Sequence, residues 1–480
     1  MMGTELGNEQ KGQPLAVGNS NTVVNSNVPA ELDTLTVNVF FDGTNNNKYN
    51  TQARLNNQHT HLRNQDSYKN YFSNVALLNM AAKRIPKEVE NIYIEGSGSF
   101  KYEEDSSLPG GAMSKGGSGA YARLAQAFEQ VQKAFEASEK SRLQMNVFGF
   151  SRGSFYARFF CAMLKREPSQ LLGGYGEYTN EYEYTGRAYF SKRKLLSLFP
   201  KDITINFVGI FDTVSSHGVF HDNDAEPFEL DIGKKQGIRK IVHLTAQNEY
   251  REHFPLTRIN TAAAEGIGYE CSLPGAHADI GGSYNADEKE ERYLSALSKD
   301  SAPIESGEIH WEWFKQMGYY QGVANSGLEF GGEFKVKGVH TGKDSFIFKV
   351  YANKSFNKNN YQFVALEIMR DIAIREAHIS FTGNDKKNLE DDIASIEDGS
   401  DELKLFRAHA HPFIMTTSLA NGLDYRVDAN AALSQGARQK LYHDYIHNSL
   451  NLERTGFGTN KGNRYAATGQ PQRLIINDNA

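Results

Sequence analysis

Little in this sequence of 480 residues points to an oxidised or membrane-spanning protein. It has only two cysteines, Cys161 and Cys271, each set in apolar sequence, so buried thiols are expected rather than a disulfide. No run of residues approaches the length of a membrane-crossing helix. The first residues carry neither the basic start nor the apolar core of a signal peptide, so export would need a route that does not read one. Acidic residues outnumber basic ones, 58 to 52, which leaves no basic excess to hold nucleic acid. There is no internal repeat. What remains is a chain long enough to bury a large core, as one domain with insertions or as two.

The most informative stretch is 144–165, QMNVFGFSRGSFYARFFCAMLK. Five strand-prone residues run into Gly149-Phe150-Ser151-Arg152-Gly153, and an almost wholly apolar, helix-like run follows. A G-x-S-x-G between a strand and a helix is the setting of a nucleophile elbow. The serine sits on a sharp, strained turn, and a Cβ two residues to either side would collide with neighbouring backbone. The helix starts directly after Ser151, so its free N–H groups point to where an oxyanion forms. An ordinary Gly-Ser turn is the plain alternative, and the flanking strand and buried helix favour the nucleophile.

Taken in order, residues 1–34 are polar, rich in Gly, Asn and Gln, and read as a disordered arm. Strands are expected at 35–41, 91–95, 144–148, 203–211 and 267–273, and helices at 74–84, 121–135 and 238–249. That alternation implies an α/β-hydrolase-like, doubly wound, mostly parallel sheet over 35–285. The polar loops fall at strand C-terminal ends, where such sheets bind ligands. Loops at 106–119, 173–191 and 215–227 are candidates for mobile covers of the site. From 286 to 480 the texture becomes mixed α/β, with an alternating run at 345–350 and helices at 361–374 and 437–450. These are C-terminal additions to the hydrolase core.

A serine hydroxyl needs a base, and the base needs an acid to hold its tautomer. In this fold the chain order is Ser, then Asp or Glu, then His. Ser151, Asp212 and His277 fit that order, each at a strand end, although Asp212 read alone is a turn-capping residue and His277 alone a structural one. Arg152, through its N–H, and the Gly43-Thr44 loop after the first strand are candidates for the oxyanion hole. Asp42 and Asp279 are secondary candidates, Asp279 being better suited to capping the turn at Gly281-Gly282. His217, His221, Asp222 and Asp224 sit in a Gly-containing loop without helical spacing, so no metal is expected there. His443 and His447 are structural, or reserves for the base. The glycine-rich 106–119 lacks the Lys-Ser/Thr pair of a phosphate-binding loop, and no cofactor is expected.

The blocks FFDGTNNN (40–47), SNV (73–75), YIEGSGS (93–99), VFGFSRGS (147–154), VGIFDTVSSHG (208–218), QNEYREHFP (247–255) and LPGAHADIGGSY (273–284) occur in the order of one hydrolase family. Together they resemble the α/β-hydrolase domains of the first class of type VI secretion lipase effectors. The resemblance covers about 35–285 and continues faintly at YQFVALEIM (361–369) and YIHNSL (445–450). It implies a phospholipase of A1 or A2 type, made without a signal peptide and delivered into the periplasm of a rival bacterium. It further implies docking on a VgrG-type spike, neutralisation by a cognate immunity protein, and a triad on Ser151, Asp212 and His277. Ser154 stands where the family commonly has Ala, and residues after 285 match poorly. A soluble carboxylesterase or thioesterase, and a non-catalytic module on a hydrolase scaffold, are the competing expectations. An intact triad argues against the second.

Overall fold

The computed structural model describes residues 33–106, 119–164, 202–215, 230–251, 253–298, 311–324, 329–340, 346–356, 358–450 and 472–478. The first strands are β1 (Thr34–Phe41), β2 (Val89–Ile94), β3 (Arg142–Phe150), β4 (Ile203–Phe211) and β5 (Ile241–Ala246). A two-residue strand β6 (Leu256–Thr257) precedes β7 (Gly268–Leu273). Then come β8 (Lys289–Ser298), β9 (Gly322–Ala324), β10 (Phe330–Gly332), β11 (Phe334–His340) and β12 (Phe346–Ser355). Near the end lie β13 (Gly422–Arg426) and β14 (Ile475–Ile476).

Seven of these form the main sheet in the order β13-β7-β5-β4-β3-β1-β2, and every neighbouring pair is parallel. The chain steps outward from β1 to β2, then returns to place β3 on the other side of β1. That reversal opens a crevice beyond the C-terminal ends of β1 and β3, the place where open parallel sheets bind ligands.

Both faces of the sheet are covered, as an all-parallel sheet requires. Along β1, Leu35, Val37, Val39 and Phe41 pack with the helices Ala120–Ser138 and Arg152–Leu164. Phe40 points the other way, stacked on Phe148 at 4.9 Å, toward the helices Asn74–Ala81 and Gln362–Ala377. On this second face a row of asparagine amides crosses four strands. Asn38 donates to Asn91 at 2.8 Å, Asn146 to Asn38 at 2.8 Å, and Asn206 to Asn146 at 3.2 Å. Such a row satisfies buried amides only in one register, so it fixes how the strands align.

Within the segment 238–249, expected as a helix, Ile241–Ala246 form the interior strand β5. Its residues are apolar on both sides and rich in Ile, Val and Thr, so their pattern carries no helical stripe to separate the two readings. All six residues of β5 are buried between β4 and β7. The later residues join the same body, since Thr34–Ala480 is one compact unit and β13 supplies an edge of the main sheet. Strands β11, β12 and β8 form a separate antiparallel sheet. Both cysteines are buried free thiols. Among the described residues no helix is long and apolar enough to cross a membrane.

Candidate active site

Strand β3 ends at Phe150, and Ser151 turns the chain into its helix with a φ of 60°, a left-handed value costly for a side-chain-bearing residue. The flanking glycines make the turn possible. A Cβ on Gly149 would stand 2.6 Å from the carbonyl oxygen of Gly153, and one on Gly153 would stand 2.3 Å from that of Phe41. The helix therefore starts hard against the end of β1. The Ser151 N–H donates to the Phe211 carbonyl at 3.0 Å, tying the elbow to the last residue of β4. Asp212 follows at once, also with a positive φ, 42°.

Asp212 is fully buried, and each of its oxygens is engaged. Oδ2 lies 2.5 Å from Nδ1 of His277, and Oδ1 accepts the Ala246 N–H at 2.9 Å. Arg473 grips both oxygens, Nη1 on Oδ1 at 2.6 Å and Nη2 on Oδ2 at 2.8 Å. Burial alone would raise the Asp212 carboxyl, but Arg473 and His277 outweigh it and hold it well below the usual carboxylate range. A buried chain supports the residue after it. Thr213 N–H donates to Nε2 of His243, whose Nδ1 lies 3.0 Å from Glu270, and Glu270 is paired with Arg258.

His277 opens the short helix His277–Gly281, just past the end of β7. Its ring packs against Phe150 and Phe254, with centroids 4.7 and 5.0 Å away. Burial pushes its pKa below the ordinary histidine value, with Asp212 opposing and Arg251 adding to the fall. Its main-chain N–H donates to Glu249 at 3.2 Å. Glu249 is itself held by Arg251, at 2.9 Å from Nε and 2.8 Å from Nη2. Although burial alone would raise it, the Glu249 carboxyl is brought down to about 2, chiefly by Arg251. Among the described residues no hydrogen bond joins the Ser151 hydroxyl to His277, a contact that is often loose before substrate arrives.

The other candidates divide. Asp42 is buried and accepts from Gly43 N–H at 2.8 Å, Ser73 Oγ at 2.5 Å and the Tyr93 hydroxyl at 2.5 Å. Burial raises its carboxyl to about 6 despite those donors. The Gly43 N–H is thus already engaged, while Thr44 meets Ser97 through its hydroxyl at 3.1 Å. No described residue accepts the main-chain N–H of Arg152 or Thr44. Burial lowers the Arg152 guanidinium to about 10.

Asp279 makes no hydrogen bond to His277. Its Oδ2 accepts the Ala276 N–H at 2.8 Å, which caps the start of the short helix rather than the Gly281-Gly282 turn, and its Oδ1 meets Nδ1 of His447 at 2.8 Å. His447 is sandwiched between Tyr284 and Phe356, and His443 lies between Asp444 and Glu333. Neither ring is hydrogen-bonded to Asp212 or Ser151. His217, His221, Asp222 and Asp224 lie outside the described residues, as do the arm 1–32 and nearly all of the cover loops at 106–119, 173–191 and 215–227.

Sequence reasoning gave no role to Arg473, Glu249, Arg251 or His243. Glu249 and Arg251 do stand in the block QNEYREHFP, which was a signal without an assignment. His243 is hidden inside an apolar strand, and Arg473 has no local signal at all.

Residues 36–302, more than half of the chain, match the model of the catalytic domain of Tle1-like type VI secretion phospholipase effectors. Among solved structures, the Tle1 effector bound to the VgrG spike of the type 6 secretion system is similar in fold. The TM-score is 0.55 at 20% identity, over 92% of this chain and 94% of that one. An uncharacterized protein from Pseudomonas aeruginosa matches more faintly, with a TM-score of 0.31 at 19% identity, over 52% of this chain and 42% of that one. No curated protein matches the chain.

Proposed function

The chain belongs to the Tle1-like family of type VI secretion phospholipase effectors, and from that premise we propose that it is a serine hydrolase of phospholipid acyl esters. The observation that carries this reading is the Asp212–His277 pair, 2.5 Å apart, at the C-terminal ends of the strands where Ser151 is held in its strained turn. In the proposed reaction the Ser151 hydroxyl attacks the ester carbonyl while Nε2 of His277 takes its proton. Asp212 fixes the tautomer through Nδ1 and stabilises the imidazolium. The main-chain N–H groups of Arg152 and Thr44 receive the oxyanion, with the positive end of the helix behind the first. The Gly43 N–H instead shapes that loop through Asp42. His277 then gives its proton to the departing lysolipid oxygen, and water releases the fatty acid from Ser151 by the same steps in reverse.

Cleavage is of A1 or A2 type in this reading. Delivery is by the type VI route on a VgrG-type spike into the periplasm of a target cell, and a cognate immunity protein protects the producer. Support comes from the family match and from the fold shared with a spike-bound effector. The test is hydrolysis of phosphatidylethanolamine and phosphatidylglycerol by the purified chain and by Ser151→Ala, with products identified by mass. Fatty acid and lysolipid from the parent, and none from the variant, are expected. Equal turnover by Ser151→Ala would remove the serine mechanism.

A further inference from the structure

The last described residues, 472–478, reach back into the site from a separation of 261 residues along the chain. Three contacts hold them. Strand β14 pairs in parallel with β6, Ile475 beside Leu256 and Ile476 beside Thr257, and β6 in turn bonds through Thr257 N–H to the Thr213 carbonyl at 3.0 Å. Asp478 forms an ion pair with Arg158 at 2.9 Å, both side chains fully buried, and Arg158 lies on the helix that Ser151 leads into. Just before these anchors Arg473 grips Asp212 and also donates to the carbonyls of Phe254 at 3.0 Å and Ala246 at 3.2 Å.

We infer that residues 472–478 are a strap that completes the active site, and that Arg473 is its positioning residue, setting the plane of the Asp212 carboxylate so that Oδ2 faces His277. The inference rests on the Ser151–His277–Asp212 reading above. Its physical ground is that a two-pronged guanidinium contact fixes a carboxylate in orientation as well as charge. Without Arg473, Asp212 would keep the Ala246 N–H and His277 alone, as a fully buried carboxylate with no cation on it. The clamp also links the acid, through the strap, to the helix that carries the nucleophile.

The test compares the full chain with Arg473→Ala, Arg473→Lys and Ser151→Ala on p-nitrophenyl butyrate, reading kcat, KM and the pH profile of kcat/KM. Arg473→Ala should lower kcat by about 10²-fold with KM nearly unchanged, an orienting effect rather than a binding one. Its acid limb should move to higher pH, because removing a positive charge eases protonation of His277. The charges then left around that ring are Asp212, Glu249 and Arg251. Arg473→Lys should restore the acid limb and about tenfold of the lost kcat, since it returns the charge without the two-pronged grip. A folded Arg473→Ala with parental kcat and acid limb would overturn the inference and leave the triad standing. Should that variant not fold, Arg473→Lys decides: kcat lowered by about tenfold supports the strap, and unchanged kcat overturns it. Parental turnover by Ser151→Ala would instead remove the site reading itself.

Discussion

Nδ1 of His277 and Oδ2 of Asp212 stand 2.5 Å apart, and both oxygens of the same carboxylate are gripped by Arg473. An acid so placed works by orientation and charge, without itself taking the proton. Replacing Asp212 by Asn puts an amide between a guanidinium and an imidazole, where one of its ends must present the wrong group. Asp212→Asn should therefore lower kcat by about 10³-fold or more, yet less than Ser151→Ala does. Steady-state kinetics on a soluble ester checks both the drop and the ranking, and a folded variant of parental activity contradicts the assignment.

Much of this pair's surroundings was legible in sequence, and the reason is local. The elbow announces itself because the two glycines, the serine, the strand and the helix all fall within a few residues of one another. Strand β4 was found with its observed ends because it is an apolar run closed by Asp212. Strand β5 reads as a helix because its apolar run is only six residues long and uniformly buried, too short for its pattern to separate the two. Strand β13 was missed for the opposite reason: GLDYR lies at the sheet edge, half-exposed, with little apolar signal. Arg473 and Asp478 act through pairings that only the closed fold creates.

The pH dependence follows from the burial of His277. Its pKa is pushed below the ordinary value, so the neutral imidazole needed as base persists into mildly acidic solution. The acid limb of kcat/KM should have its inflection below about 6.5, the ordinary histidine value. A profile for a soluble ester from about pH 4 to 8 measures it. An inflection well above the ordinary value would show that the ring is charged more easily than its apolar walls allow.

Glu249 joins the stability of this region to its geometry. It is buried, bonds the His277 N–H, and is paired with Arg251, whose side chain is 24% exposed. Glu249→Gln removes the charge from this buried pair and should cost roughly 3 kcal/mol of folding stability. The sign with pH is fixed by the direction of the shift. A carboxyl lowered from 4.5 to about 2 contributes stability that is fully present above 4.5 and lost as pH falls toward 2. The gap in denaturation midpoint between parent and variant should therefore be widest near neutrality and narrow with acid. A gap independent of pH would show that packing, not charge, holds the segment.

Gly153 tests the elbow without touching any reacting atom. A Cβ there would meet the carbonyl oxygens of Phe41 at 2.3 Å and Asp42 at 2.5 Å, both main-chain atoms at the end of β1. Gly153→Ala must push the helix away from that strand, at about 1–3 kcal/mol. The push also shifts the Arg152 N–H relative to the Thr44 loop, and a displacement near 1 Å at such a site costs about 10²-fold in rate. Thermal unfolding and kcat measured together should both fall. Unchanged kcat in a destabilised variant would argue that the oxyanion is not held between this helix and the β1 loop.

The proposed substrate makes a demand of its own, because a phospholipase must draw an acyl chain from a bilayer into reach of Ser151. The walls described around His277 are aromatic: Phe150 and Phe254 both pack on its ring, and the Arg251 guanidinium lies 3.4 Å from the Phe254 ring. Aromatic rings accept acyl carbon, and a guanidinium beside them keeps a cation near the polar part of the lipid. The purified chain should therefore hydrolyse long-chain phosphatidylethanolamine in vesicles as well as p-nitrophenyl butyrate, and Phe254→Ala should weaken the first more than the second. Comparing the two substrates side by side, together with vesicle co-sedimentation, provides the measurement. Hydrolysis confined to the soluble ester, with no vesicle binding, would leave Ser151, His277 and Asp212 in their roles and make the protein a soluble esterase instead.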